Sequence, residues 1–235
     1  MIRKAIIIGI KGTQLTSRER YLIKLQKPWG VILFARNIKT LHQTKALIQD
    51  IRSAIKDKKY PILIDQEGGK VSRLNNIIDL SIFSQDLFGR LYKKNKKLFF
   101  DYYSLYINAV SSILNDIGIN VNTVPVLDLR RNNSHDIIGT RSYSNKKSII
   151  KKLGQFCVNQ YHKNNIATVM KHIPGHGLSQ VDSHFKLPII NASKKTLYKK
   201  DFLCFKDCKS LFSMTAHIIY NNYDRFNTAT HSKIV

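Results

Sequence analysis

Apolar and polar positions along the chain follow two different periods. Short runs of β-branched residues contain almost no polar positions, as in strands that are covered on both faces. Between these runs lie longer segments in which apolar residues recur every three or four positions, as in amphipathic helices. The longer segments predict helices at 40–57, 98–118 and 146–164. The short runs predict six strands, at 5–10, 30–34, 61–65, 119–129, 166–172 and 210–217.

This alternation predicts an α/β protein with a parallel sheet, either a (β/α) barrel or an open doubly wound sheet. Polar residues favour the barrel, because Asp65, Asp128, His172 and His217 each end a predicted strand and the strand ends of a barrel converge on one mouth. No glycine-rich phosphate loop follows the first strand, as a nucleotide-binding sheet would require. We therefore predict one domain over residues 1–235, of the (β/α)8 TIM-barrel type, with about six of the eight strands in this chain.

Composition and charge narrow the class of protein. Hydrophobic residues make up 43% of the chain, which is typical of globular proteins, and no apolar run has the length of a membrane span or a signal peptide. The formal net charge of +24 would suit a partner such as nucleic acid or an anionic membrane. The lysines, however, are scattered along predicted helices without a nucleic-acid-binding motif. We predict a cytoplasmic protein with a solvated basic surface, and nucleic-acid binding stays as the alternative.

The three cysteines, Cys157, Cys204 and Cys208, are too few for a disulfide framework. Cys204 and Cys208 lie four positions apart in a segment that we expect to be helical. We therefore predict that they form a buried, reduced pair.

The segment KHIPGHGLSQVDSH, residues 171–184, concentrates three histidines, a lysine and an aspartate in a stretch that proline and glycine keep irregular. A metal site is disfavoured, because His172 and His176 flank a turn that cannot be helical and the loop contains no glutamate. Acid/base chemistry is favoured, because Asp182 is close enough to His184 to fix its tautomer and raise its basicity. A polar surface loop without chemistry also remains compatible with these residues.

A second polar segment, LIDQEGGKVSRL at 63–74, follows the third predicted strand. Asp65 ends that strand, Gly68 and Gly69 permit a close approach of the backbone, and Arg73 can return to the same mouth. A carboxylate with a guanidinium suits the binding of sugar hydroxyls or of a carboxylated ligand. A surface salt bridge would explain the same motif equally well.

Four motifs together carry a resemblance to a known family. IDQEGGKVSRL (64–74), IGTRSYS (138–144), KHIPGHGLSQVDSH (171–184) and MTAHIIY (214–220) resemble, in order and spacing, the bacterial β-N-acetylhexosaminidases of glycoside hydrolase family 3. The resemblance implies a TIM barrel that removes terminal N-acetylglucosamine from peptidoglycan fragments in cell-wall recycling, with retention at the anomeric carbon and without a cofactor or metal. It also implies a monomer whose partner is this small-molecule substrate, not nucleic acid or a membrane.

The resemblance also implies roles for individual residues. His184 resembles the acid/base of the family, a role that most glycosidases give to a carboxylate, and Asp182 resembles the residue that orients it. Contacts to the sugar that is cleaved off are implied for five further residues: Asp65, Arg73, Arg141, Lys171 and His172.

The chain departs from the family pattern at the nucleophile. The family uses an aspartate in a Ser-Asp-Asp type motif near the seventh strand, and no such motif follows MTAHIIY. Asp224 resembles a loop residue of the family, so we do not expect it to be the nucleophile. Two functions remain open: a hydrolase whose chain is incomplete at its C-terminus, and an inactive remnant that still binds sugar.

Overall fold

The computed structural model describes residues 2–131, 136–181 and 185–235. A six-stranded parallel sheet is surrounded by helices, and a second, two-stranded parallel sheet follows its fifth strand. The strands are β1 Lys4–Gly9, β2 Pro28–Leu33, β3 Ile62–Ile64, β4 Val121–Asn122, β5 Ala167–Ile173, β6 Ile189–Ile190, β7 Phe212–Thr215 and β8 Ile219–Tyr220. The long helices are α1 Ser17–Gln26, α2 Leu41–Ile55, α3 Gln85–Lys94, α4 Lys96–Ile117 and α5 Lys147–Lys163. Short helical turns span Ala35–Asn37, Gly139–Arg141, Lys194–Thr196, Leu197–Asp201 and Phe202–Cys204.

The order of the strands decides between the two predicted architectures. The large sheet runs β1-β2-β3-β4-β5-β7, so its strands stand in chain order, with β6 of the small sheet between β5 and β7 in the chain. A doubly wound sheet instead reverses its order at a switch point. The sheet is also curled: Trp29 on β2 and Phe212 on β7, strands that are not adjacent in the sheet, pack edge to face with ring centroids 5.2 Å apart. The predicted barrel-type fold, with six strands in this chain, is confirmed.

The helix predictions from apolar spacing hold where one face of a helix is buried. The buried side of α4 includes Phe99, Tyr103, Tyr106 and Val110, and Gly118 ends this helix in the left-handed region with φ of 94°. Two helices, α1 and α3, were not predicted. The pattern of α1 is weak because Ile23 is its one buried residue. In the described ranges, no helix is both long and apolar enough to cross a membrane.

The fourth strand is shorter than predicted. Regular pairing covers Val121 and Asn122, and then Pro125, which has no N–H to donate, interrupts the ladder. The chain stays beside β5, since the Lys171 N–H donates to the Pro125 carbonyl at 3.1 Å and the Leu127 N–H donates to the Lys171 carbonyl at 2.8 Å. This course brings Asp128 level with the end of β5.

The first strand is not buried, contrary to the prediction. In the described part of the chain β1 pairs with β2 on one side only, and Ile6 and Ile7 on it are 50% and 44% exposed. They face a cavity of about 650 Å³ inside the curled sheet, which we call the interior cavity. Its lining is mostly apolar and comes from β1, β2, β3, β5 and β7 and from the residue that follows β4: Ala5, Ile6, Ile7, Trp29, Ile32, Leu63, Thr123, Val169, Phe212, Ser213, Met214 and Thr215.

The helix predicted to contain both Cys204 and Cys208 is wrong, whereas both thiols are free, as the prediction of a reduced pair requires. Cys204 ends a short 3-10 turn, and Cys208 lies beyond the turn that follows, so the two thiols do not share one helix. Cys157 and Cys204 are buried, Cys208 is partly buried, and all three are free. Burial raises the pKa of both Cys157 and Cys204 to about 12, which keeps these two thiols protonated and unreactive.

Candidate active site

Lys171 is the centre of a charged cluster at the mouth of the curled sheet. This residue on β5 is 2% exposed, and its Nζ lies 2.9 Å from Asp65 Oδ1, 2.6 Å from Glu67 Oε1 and 3.0 Å from Thr123 Oγ1. The Thr123 hydroxyl also donates to Asp65 Oδ1. Consecutive strand ends of the sheet therefore surround one buried ammonium group with oxygen atoms.

Arg141 enters the cluster from the short helical turn Gly139–Arg141. Its Nε and Nη2 donate to the two carboxylate oxygens of Glu67, each at 2.8 Å. Glu67, with a side chain only 1% exposed, thus lies between two cations, Arg141 and Lys171. A buried charge is tolerated when it is paired in this way.

Glu67 was not predicted as a site residue. Its place in the IDQEGG motif was the one sequence signal for it. Its cationic partners, Arg141 and Lys171, lie 74 and 104 positions further along the chain, so no local pattern indicates that they contact Glu67.

Two glycines shape the segment after β3. Gly68 and Gly69 have φ of 90° and 62°, a region that favours glycine. A Cβ on Gly68 would lie 2.3 Å from the Phe83 carbonyl oxygen. The turn brings Arg73 back as expected, with its Nη2 3.8 Å from Asp65 Oδ2.

His172 is held by a buried carboxylate. Its Nδ1 lies 2.6 Å from Asp128 Oδ2, and Arg141 Nη2 lies 3.4 Å from its Nε2. The other oxygen of Asp128 accepts the backbone N–H of His176 at 2.6 Å. Asp128 was predicted at a strand end, yet its contact with His172 is visible only in the structure.

The electrostatics of the cluster keep its carboxylates ionised. Burial alone would raise the pKa of Asp65, but the charge of Lys171 and hydrogen bonds from Thr123 and Lys171 outweigh it and lower the pKa to about 2. In the same way, the charges of Lys171 and Arg141 outweigh burial and lower the pKa of Glu67. Burial lowers the pKa of His176, so this imidazole is neutral at pH 7.

These residues line a pocket of about 250 Å³, which we call the mouth pocket. Charged groups cover one side of it, and Val71, Met214 and Ala216 contribute apolar surface. All five predicted sugar contacts belong to the lining: Asp65, Arg73, Arg141, Lys171 and His172. His217 also lines the pocket, with its Nδ1 2.7 Å from Thr230 Oγ1.

Asp182 and His184, the predicted acid/base pair, lie outside the described residues. Asp224 does not line the mouth pocket; its carboxylate accepts the backbone N–H groups of Phe226 and Asn227 at 3.0 and 3.1 Å. Among the residues that the structure describes, no three histidine, cysteine or acidic side chains are grouped so that they could hold a metal ion.

Comparison with known protein families gives one match. Residues 7–235 match the family described as Glycosyl hydrolase family 3 N terminal domain. Among curated proteins, the chain is 33% identical over 203 residues to beta-hexosaminidase A of Pseudoalteromonas piscicida, which covers 83% of this chain and 33% of that protein. It is 31% identical over 225 residues to the beta-hexosaminidase of Tolumonas auensis, which covers 93% of this chain and 64% of that protein. The chain therefore spans about a third of the first relative and just under two thirds of the second.

Solved structures show the same relationship. Native NagZ from Neisseria gonorrhoeae matches with a TM-score of 0.87 and 26% identity, over 96% of this chain and 66% of that one. The same protein in complex with N-trifluoroacetyl-D-glucosamine matches with a TM-score of 0.86 and 26% identity, over the same shares of the two chains. A glycoside hydrolase family 3 beta-N-acetylglucosaminidase from Paenibacillus matches with a TM-score of 0.85 and 27% identity, over 95% of this chain and 43% of that one.

Proposed function

Because the chain belongs to the glycosyl hydrolase family 3 N-terminal domain family, we propose that it is the sugar-binding part of a β-N-acetylhexosaminidase, and that the mouth pocket takes a terminal N-acetylglucosamine residue. The curated relatives are beta-hexosaminidases, and one matching structure contains a glucosamine derivative. Both findings support a glycosidase that acts on amino sugars.

One observation carries the sugar-binding proposal. Asp65 Oδ2 and Arg73 Nη2 are 3.8 Å apart, within ion-pair distance but too far for a hydrogen bond. Asp65 Oδ1 already accepts from Lys171 and Thr123, so Oδ2 is the oxygen that remains for a ligand. A sugar hydroxyl at the pair would donate to Asp65 and accept from Arg73, which satisfies both groups at once.

The remaining pocket residues complete the recognition of the sugar. Arg141 donates to hydroxyl or acetamide oxygens. Lys171, whose three donors are taken by Asp65, Glu67 and Thr123, contacts the sugar by exchanging one of these partners for a sugar oxygen. Glu67 holds both cations in place before the sugar arrives. His172 turns its Nε2 towards the same space. Val71, Met214 and Ala216 provide an apolar wall against which the C–H face of a pyranose packs.

We propose a retaining reaction in which His184 is the acid/base and Asp182 orients it. Retention requires a nucleophilic carboxylate roughly 5 Å from the acid/base. In the described ranges, both carboxylates that line the mouth pocket, Asp65 and Glu67, are paired with Lys171, so neither serves as the nucleophile. This pairing also favours a second candidate function, in which the 235-residue chain binds the sugar without cleaving it.

We further propose that the natural substrate is a peptidoglycan fragment, that the reaction belongs to cytoplasmic cell-wall recycling, and that residues 1–235 form part of one barrel domain. The relatives are named beta-hexosaminidase and beta-N-acetylglucosaminidase, and these names support a substrate that contains an amino sugar. A strain that lacks the gene should accumulate fragments that retain their terminal N-acetylglucosamine, as measured by mass spectrometry of the cytoplasmic pool.

Calorimetric titration of the purified chain with N-acetylglucosamine tests the binding proposal, with N-acetylgalactosamine as the matched control. A chromogenic N-acetylglucosaminide then separates the two candidates. Turnover that falls by about two to four powers of ten in His184→Ala supports the hydrolase. Binding without turnover supports the non-catalytic function, and the absence of selective binding contradicts both.

A further inference from the structure

Asp128 holds two parts of the site with one carboxylate. Its side chain is fully buried, at 0% exposure. Oδ2 lies 2.6 Å from the ring Nδ1 of His172 and 3.3 Å from its backbone nitrogen, and Oδ1 lies 2.6 Å from the backbone nitrogen of His176. The first two contacts hold a residue of β5, and the third holds the loop that leaves this strand.

We infer that Asp128 is a positioning residue, which fixes the tautomer of His172 and the point from which the loop towards Asp182 and His184 departs. The part of this inference that concerns sugar recognition rests on the proposed function. The part that concerns the imidazole and the loop rests on the geometry alone.

The tautomer follows from the protonation of the carboxylate. Burial alone would raise the pKa of Asp128, but the charge and hydrogen bond of His172 outweigh it and lower the pKa. Asp128 is therefore an acceptor at neutral pH, and the proton between it and His172 belongs to Nδ1. The lone pair of a neutral His172 is then on Nε2, on the side where Arg141 Nη2 lies 3.4 Å away. In that neutral form Nε2 accepts from Arg141 Nη2, so His172 and Arg141 face the pocket as a pair in which a sugar hydroxyl can replace the guanidinium as the donor to Nε2.

The departure of the loop is fixed by close packing as well as by the hydrogen bond. A Cβ on Gly177 would lie 2.0 Å from the Leu129 carbonyl oxygen, so the loop backbone lies directly against the residue that follows Asp128. The Tyr220 hydroxyl donates to the Gly175 carbonyl at 2.6 Å. Together these contacts determine the position of residues 175–177, from which the chain continues towards the predicted acid/base pair.

An asparagine at this position separates positioning from simple packing. Asp128→Asn keeps the size of the side chain, but its amide is both a donor and an acceptor, so it cannot satisfy three N–H donors as the carboxylate does. We expect it to donate to Nδ1 of His172, which moves the ring proton to Nε2. The matched control is Asp86→Asn, because Asp86 is also buried, pairs with Arg130 at 2.5 Å and Arg90 at 3.1 Å, and does not line the mouth pocket.

The test combines two measurements on the 235-residue chain. Nitrogen NMR of ¹⁵N-histidine protein, with His172 assigned through His172→Gln, should show the Nδ1–H tautomer in the wild type and in Asp86→Asn, and its loss in Asp128→Asn. The affinity for N-acetylglucosamine should fall about 10-fold or more in Asp128→Asn, because the Nε2–H tautomer no longer accepts a hydrogen bond on the pocket side, and should stay unchanged in Asp86→Asn.

An Nε2–H tautomer of His172 in the wild type would overturn the inference without any variant. So would an Asp128→Asn protein that keeps both the wild-type tautomer and the wild-type affinity and merely melts at a lower temperature. Failure of the wild type to bind N-acetylglucosamine would contradict the proposed function. The role of Asp128 would still be tested, because the tautomer of His172 is measured without ligand.

Discussion

The mouth pocket and the interior cavity are lined by residues of the same sheet, but the polar groups of the mouth are paired whereas the apolar side chains of the interior remain partly exposed. At the mouth, the buried Lys171 ammonium has three oxygen partners within 3.0 Å. In the interior, Ile6 and Ile7 on β1 are 50% and 44% exposed, and Phe212 on β7 is 40% exposed. Both edge strands of the curled sheet, β1 and β7, belong to the incompletely covered region.

The difference reflects the range of the interactions involved. Hydrogen bonds and ion pairs are satisfied by a few partners at fixed distance, and here the ends of β3, β4 and β5 supply them. Hydrophobic stabilisation grows with the apolar area that is removed from water, and apolar side chains on the edge strands β1 and β7 remain partly exposed. The six strands therefore complete the polar mouth pocket, whereas the apolar interior cavity stays partly uncovered.

The largest expected effect comes from removing the carboxylate that joins the two buried cations of the mouth. Glu67→Ala removes the carboxylate that lies 2.6 Å from Lys171 and 2.8 Å from Arg141. We expect the free energy of unfolding, from urea titration, to fall by about 3–5 kcal/mol, as for other broken buried ion pairs. The control Glu19→Ala removes a partly exposed capping-box glutamate at the start of α1 and should lower the free energy of unfolding by about 1 kcal/mol. Equal losses in both variants would mean that the mouth is not the more strongly coupled region.

A smaller effect is expected at the edge of the pocket where the sugar is proposed to bind. Asp65→Ala and Arg73→Ala should each weaken N-acetylglucosamine binding by about 1–3 kcal/mol, because each leaves a partner unpaired; calorimetry measures this. Unchanged affinity in both variants would mean that segment 63–74 has a structural role and does not contact the sugar.

Asp65 also has a pH signature. Its pKa in the folded protein, about 2, is below the ordinary value of 3.8, so its ionised form stabilises the fold. That contribution is complete above the unfolded pKa and disappears as the pH falls towards 2. The difference in unfolding free energy between the wild type and Asp65→Asn should shrink over this window.

The smallest effect on folding is expected in the interior cavity. Ile6→Lys changes a half-exposed residue, so the free energy of unfolding should change by no more than about 0.5 kcal/mol. Self-association in light scattering should decrease, because the lysine interrupts a continuous apolar surface. The control Leu105→Lys replaces an apolar residue that is 64% exposed on the outer side of α4 and should leave association unchanged. A large loss of stability in Ile6→Lys would show that the interior is enclosed.

The sequence predicted which strands carry the site but not how its members pair. Asp65 and His172 were identified because polar residues at the ends of apolar runs are conspicuous and barrel topology brings such ends together, whereas the role of Lys171 was implied by the resemblance to the family. Glu67 and Asp128 were not assigned as partners, because their roles depend on distances between residues far apart in the chain. Two hydrogen bonds place Asp128 beside β5 even though Pro125 ends the regular strand, and no local pattern encodes that course.

The wrong predictions have a common cause. The apolar run of β1 indicates that its side chains are suited to burial, but burial also depends on a neighbour at the open edge, which a local pattern does not report. In the same way, the spacing of Cys204 and Cys208 matches one helical turn, but the short turns Leu197–Asp201 and Phe202–Cys204 end the helical course before Cys208.

The paired charges of the site have a consequence for ionic strength. Around the mouth pocket the charges are paired: Asp65 with Arg73 and Lys171, Glu67 with Arg141 and Lys171, and Asp128 with His172. The protein as a whole carries a formal charge of +24, yet a neutral sugar in this pocket meets almost no net charge. We therefore expect the binding of the proposed sugar to be nearly independent of salt. The approach of an anionic substrate would instead depend on surface lysines, whose field salt screens within a Debye length of about 10 Å at 0.1 M.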